Sequence, residues 1–308
     1  AGKQTDDVRR AGGGIVSVDS VGFRGWSERL TSPWLSSWSI ARTGLLLVLR
    51  RKLFWILLGL ALLNFLFMFA LIYLKAQLSA QNPAIERFVD RILTSVTGTG
   101  DSYLNFMFLQ GTVTMLMLAF AGEVLVGSDF QQGGLTFYLS RRISRRHYAL
   151  GKLLGIGMLV SLTTTIPAVI LFIEYGAMTD SLTYLRENWR ILLGILGYGA
   201  IMATVLSLVL FALAAWLEKT VPLVMAWAAL FVLLPVLGRI LSRVQDDEDW
   251  LLIMLWRNLR LLGSWCFGSV DAGEETELIG WAASIVLLVC AASVAAIIPR
   301  LRAIRVVQ

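Results

Sequence analysis

From Leu53 to Leu74 the chain runs through 22 consecutive residues without one charged side chain. As a helix this stretch is about 33 Å long, enough to cross the roughly 30 Å hydrocarbon core of a bilayer. Five further runs have comparable length and character: Tyr103–Gly127, Ala149–Tyr175, Ile191–Leu217, Val221–Leu241 and Leu278–Ile298. Together they account for a composition that is 57% hydrophobic and only 16% charged, with a mean hydropathy of +0.71. Inside lipid every backbone amide must be bonded within the protein, which leaves helices or a closed barrel. The runs are continuous and do not alternate polar with apolar, so helices are expected. Pro167, Pro222 and Pro235 fall in the third and fifth runs. Proline is tolerated there when neighbours satisfy the freed carbonyl.

Six spans place both termini on one side. On that assignment 18 of the 27 Lys and Arg residues share the side of the termini, against 6 acidic residues, while the opposite side carries 9 basic and 14 acidic residues. Glu123 stands alone near the inner end of the second span. The positive-inside rule makes the basic side the cytoplasm of a bacterial-type inner (plasma) membrane. The net charge of +6 is therefore read as orientation. No groove of alternating basic and aromatic residues suggests nucleic acid. Cys266 and Cys290 are far apart and define neither a metal site nor a disulfide framework.

Outside the spans, residues 1–25 read as a flexible cytoplasmic tail, with no signal-peptide pattern. Residues 26–51 read as an interfacial elbow helix, because Leu30, Trp34, Leu35 and Trp38 share a face beside Arg42, Arg50 and Arg51. Pro33 after Thr31 and Ser32 is its start signal. Ile85–Val96 has apolar residues at helical spacing and is expected to form a small external helix. Trp250–Phe267 is apolar but carries Arg257 and Arg260 at its middle, where each costs about 2.5–3.5 kcal/mol in a span. It is expected to be an external amphipathic or re-entrant helix that does not cross. Residues 52–308 form the six-span domain.

The connection between the second and third spans is the least generic segment. It reads GSDFQQGGLTFYLSRRISRRHYALGK over 127–152. An apolar patch (Leu135, Phe137, Tyr138, Leu139) is followed at once by Arg141, Arg142, Arg145 and Arg146. A short helix of this kind at the cytoplasmic surface suits a soluble partner or anionic lipid. A solvated basic loop that only sets orientation is the simpler alternative.

This segment resembles the signature of ABC-2 type exporter permeases, the membrane subunits of type V-like ATP-driven ABC transporters. In that family an acidic residue ends the second span. A Gly-Thr/Ala-Leu turn, a Tyr/Leu-Leu-Ser-Arg-Pro-Ile/Leu-Ser-Arg run and Tyr-x-Leu-Gly-Lys follow. Asp129, Gly133, Gly134, Leu135, Tyr138, Leu139, Ser140, Arg141, Ile143, Ser144, Arg145, Tyr148, Leu150, Gly151 and Lys152 match. Arg142 departs, standing where the family usually has Pro. The motif covers about 25 residues, and the similarity of architecture runs over about 26–305. The resemblance implies an all-α membrane fold of six transmembrane helices, with an N-terminal interfacial helix, a cytoplasmic coupling helix at 129–147 and an external helix before the sixth span. It also implies a separate ABC ATPase subunit that binds ATP and Mg. This chain has no Gly-x-x-x-x-Gly-Lys-Ser/Thr loop with which to hold nucleotide. A second permease copy is implied too, a homodimer being simpler than a paralogous pair, and there is room for a periplasmic partner.

Two rival readings follow. A permease-like subunit could anchor an ABC complex or transmit force without transport. An intramembrane enzyme would need a nucleophile–base pair, paired carboxylates or a metal, and the one histidine, His147, lies among arginines. The substrate is not legible. Asn64, Asn105, Gln110, Thr163, Thr164 and Thr165 are candidates to line a pathway, and each is equally suited to helix–helix hydrogen bonding.

Overall fold

The computed structural model describes residues 33–79, 98–134, 143–179, 181–269 and 274–302. Residues 1–32, with the expected tail and the first residues of the expected elbow helix, the expected helix at Ile85–Val96, and residues 135–142 of the expected coupling segment lie outside them.

The described residues are helical, with no strand among them. Helix α1 (Pro33–Leu49) is described from Pro33 onward, so the expected start signal at Thr31–Pro33 lies at the edge of the described residues. It breaks at Arg50–Arg51 and leads into α2 (Lys52–Ser79), which is apolar around its whole circumference. A helix without a polar face belongs in lipid or a protein interior. Helix α3 (Gly100–Gly122) passes through a π-helical turn, Glu123–Gly127, into a last turn, Ser128–Gln131. Helix α4 (Arg145–Thr163) and α5 (Thr165–Thr179) form the third span, with a break at Thr164. A short α6 (Ser181–Glu187) precedes α7 (Trp189–Leu217). Helix α8 (Thr220–Ala228), a second π-helical turn (Ala229–Leu233) and α9 (Leu234–Gln245) form the fifth span. A 3-10 turn (Glu248–Ile253) leads to α10 (Leu255–Phe267), and α11 (Glu274–Arg302) is the last described element.

Six of these units are long and apolar enough to cross a membrane: Lys52–Leu74, Gly100–Gln131, Arg145–Met178, Trp189–Leu217, Thr220–Gln245 and Glu277–Arg302. The chain is thus built as a multi-pass membrane protein. The third span starts four residues earlier than its apolar run. Ser144 caps it, accepting from the His147 amide, and Arg145 and Arg146 join its first turn. Its break reflects Pro167, which has no N–H to offer the Thr163 carbonyl. In the fifth span the π-helical turn ends just before Pro235 and absorbs the same defect. The sixth span continues through Pro299 to Arg302.

Helix α10 is 13 residues long, about 20 Å, too short to span a bilayer. It lays Leu255, Asn258, Leu259, Leu262 and Gly263 into the bundle, against α3, α7 and α11. Arg260 stays at its exposed edge, where its guanidinium donates to Asn105 Oδ1 at 2.8 Å and lies over the Phe108 ring. Helices α3 and α7 make the core, and the first and fifth spans are the least covered by the rest of the chain.

Candidate functional site

One end of the bundle gathers the start of α2, the end of α3, the start of α4, the α7–α8 connection and the end of α11. Its described basic residues include Arg51, Lys52, Arg145, Arg146, Lys152, Lys219, Arg300 and Arg302. Here the two ends of the 129–147 segment are joined. Asp129, on the last turn of the second span, accepts a hydrogen bond from Tyr148 Oη at 2.8 Å. The same oxygen lies 2.7 Å from Lys152 Nζ. Lys152 also donates to the Leu125 carbonyl in the π-helical turn, at 2.6 Å. Lys152 is only 6% exposed and Asp129 16%, so the ammonium has traded water for a carboxylate and a carbonyl. A buried cation needs such partners.

The same helix start holds α1. A side chain on Gly151 would place its Cβ 2.9 Å from both Ile40 Cβ and the Ser37 carbonyl oxygen, so only glycine permits this approach. Gly155, one turn on, faces Ala41 in the same way. Small residues four apart let two helix backbones pack closely without a hydrophobic drive between them. Ser37 Oγ adds a bond to the His147 carbonyl at 2.9 Å, and Trp34 meets the His147 ring edge-on.

Further contacts tie in the remaining spans. Thr220 Oγ1 donates to Glu123, so this carboxylate is not alone, as its sequence position suggested. Gly127 packs against the Glu218 carbonyl, closer than any side chain would allow. Glu218 adopts positive φ and pairs with Arg300. The Arg300 Nε also donates to the Ala215 carbonyl at 2.8 Å. Its guanidinium lies over Trp216 and Phe130.

The residues singled out in the segment therefore divide. Asp129, Gly151 and Lys152 lie inside the structure and act on neighbouring helices. Gly133 adopts positive φ just past the end of the second span, Gly134 packs on Asp129, and Ser144 and Arg145 are exposed. Leu135, Tyr138, Leu139, Ser140, Arg141 and Arg142 lie outside the described residues.

The polar residues considered for a pathway do not converge on one cavity. Asn64 donates to Gln110 Oε1 at 2.8 Å, and Gln110 donates to the Ala61 carbonyl at 3.1 Å. Thr163 pairs with Thr114 at 2.8 Å, and Thr164 bonds back to the Val160 carbonyl. Asn105 receives Arg260. Only Thr165 is left with a buried hydroxyl lacking a partner.

One residue escaped sequence reasoning. Glu174, near the end of the third span opposite the clasp, is 7% exposed with neither carboxylate oxygen paired. Nearby lies an aromatic cluster of Tyr103, Phe172, Tyr175 and Tyr184. Tyr184 donates to the Gly98 carbonyl, and burial pushes its phenol above the ordinary value. The available signal was position: Glu174 lies within the apolar run ending at Tyr175, not beyond it. No family model matches the chain, and no curated protein matches its sequence.

Proposed function

We propose that the chain is the transmembrane permease subunit of an ATP-driven exporter of the ABC-2 type, coupled through residues 129–147 to a separate ATPase. The observation that carries this reading is the Asp129–Tyr148–Lys152 clasp. It ties together the two spans that bracket the segment. An element that receives a push from a soluble motor needs a stiff base, or the push is lost in bending. Through Gly151 and Gly155 the base extends to α1, so a displacement at the segment moves the first turns of the third span and the elbow helix as one body. The ATPase supplies nucleotide and Mg chemistry, and this chain supplies the membrane path. ATP binding drives the cycle only insofar as it favours one arrangement of the permease over another.

Two permease chains would form the working unit, in an inner membrane with both termini cytoplasmic. The first and fifth spans offer the most uncovered apolar surface for pairing, and the second adds a stripe of Leu109, Leu116 and Phe120. A force-transmitting subunit without transport would use the same base. The test is co-purification and ATP turnover of the partner ATPase with a Tyr138→Ala/Leu139→Ala chain. Apolar anchors carry most of such an interface's energy, so both should fall. Unchanged recovery and turnover would remove the docking assignment. Uptake of labelled substrate by reconstituted vesicles separates transport from force transmission.

A further inference from the structure

Beside the clasp, on the outer surface of the bundle, a cavity of about 470 Å³ opens between α4, α7 and α11. Among the described residues its charged ones are Arg145, Arg146 and Arg302, none of them acidic, and the rest of its wall is apolar. A second cavity of about 580 Å³ runs on along α4 and α7, sharing Leu153 and Leu208 with the first. Gly157, Ala200, Ala203 and Ser207 give this stretch a shallow floor. A Cβ on Gly157 would meet only Ser207 and Ala203, at ordinary contact distances.

We infer that this furrow binds an anionic diacyl phospholipid, its phosphate at Arg146 and Arg302 and one acyl chain along α4. The charge fits, since guanidinium groups bind phosphate oxygens in pairs and prefer a headgroup with net negative charge. The length fits as well. From Arg146 to Met158 the helix rises about 18 Å, close to the roughly 15 Å of one leaflet's hydrocarbon. Basic pockets between membrane helices are recognised seats for acidic lipid. A free phosphate would use only the arginines and leave the apolar furrow empty. The inference does not depend on coupling to an ATPase.

The test uses the full chain, stripped of lipid in detergent and examined by native mass spectrometry with added dioleoyl-phosphatidylglycerol or dioleoyl-phosphatidylcholine. The chain should retain phosphatidylglycerol about tenfold better. Arg146→Gln/Arg302→Gln should abolish that preference. Gly157→Leu, which fills the furrow, should weaken retention while soluble glycerol phosphate fails to compete. Equal retention of the two lipids by the native chain overturns the inference, and this comparison stands even if a variant fails to fold. So does an unchanged preference in the arginine variant, unchanged retention in Gly157→Leu, displacement by glycerol phosphate, or a lipid-free dimer that buries the furrow.

Discussion

Lys152 Nζ lies 2.7 Å from Asp129 Oδ2, joining the start of the third span to the end of the second. Removing one member of a largely buried pair leaves the other charge without compensation, at about 3–5 kcal/mol. Asp129 keeps some contact with solvent, so Lys152→Met should cost about 3 kcal/mol, at the lower end of that range. Asp129→Asn/Lys152→Met should recover part of the loss, because neither charge is then stranded. Thermal unfolding of the four proteins in detergent measures the coupling. Strictly additive losses would mean that the two residues do not stabilise each other.

Gly151 and Gly157 are both on α4, yet their surroundings differ. A Cβ on Gly151 would press on the α1 backbone, whereas one on Gly157 would meet only Ser207 and Ala203 of α7 at ordinary contact distances. Gly151→Ala should therefore destabilise by about 1–3 kcal/mol, the usual cost of overpacking. Gly157→Ala should be neutral or slightly stabilising, since alanine is the better helix former by about 1 kcal/mol. The same unfolding assay compares them. Equal effects would contradict the close approach of α1.

The spans were legible because 20 or more apolar residues in sequence can do little else. Their ends were not. A charged residue at the edge of an apolar run marks either the exit into water or a side chain folded back onto a neighbouring helix, and sequence does not distinguish the two. Lys152, Glu218 and Arg300 are of the second kind. Asp129, Tyr148 and Lys152 were recognisable as a set through their motif, but as a docking surface. Their joint role inside the bundle depends on the π-helical turn at Glu123–Gly127, which apolar periodicity does not encode. Arg257 and Arg260 argued against a span at Trp250–Phe267, because the physical cost of charge in lipid is large, and the helix there is 13 residues long. Glu174 was lost for the opposite reason: one carboxylate beside a run's end reads as its boundary.

Glu174→Gln should raise stability by about 1 kcal/mol or leave it unchanged, because the wild-type carboxylate is buried without a hydrogen-bond donor. An amide has the same shape and no charge to desolvate. Chemical denaturation in detergent at neutral pH gives the answer. A clear loss of stability would show that the carboxylate has a cationic partner in the folded protein.

Orientation can be tested with one probe at each end. Asp247 follows the fifth span at the end opposite the clasp, and Gln132 lies beside the clasp. With Cys266 and Cys290 replaced, an impermeant thiol reagent applied to sealed cells should label Asp247→Cys. It should miss Gln132→Cys until the membrane is opened. The reverse pattern would invert the topology drawn from the basic asymmetry.

Pairing of two chains makes a prediction for α2. Ile56, Leu63 and Phe67 recur at helical spacing and form one strongly exposed face, with Leu63 67% uncovered. Among the described residues α2 packs mainly against α1, α3 and α5. Lipid alone would also account for such a face, so the test needs an equally exposed site outside the proposed interface. Leu287 on α11 serves, at 69%. In a cysteine-free chain in native membranes, oxidation should cross-link Leu63→Cys into a dimer and leave Leu287→Cys monomeric. A C2 pair brings the same residue of both copies together near its axis, which is why one substitution suffices. Cross-linking at neither position, or equally at both, would mean that α2 faces lipid and that two permeases, if they pair, do so elsewhere.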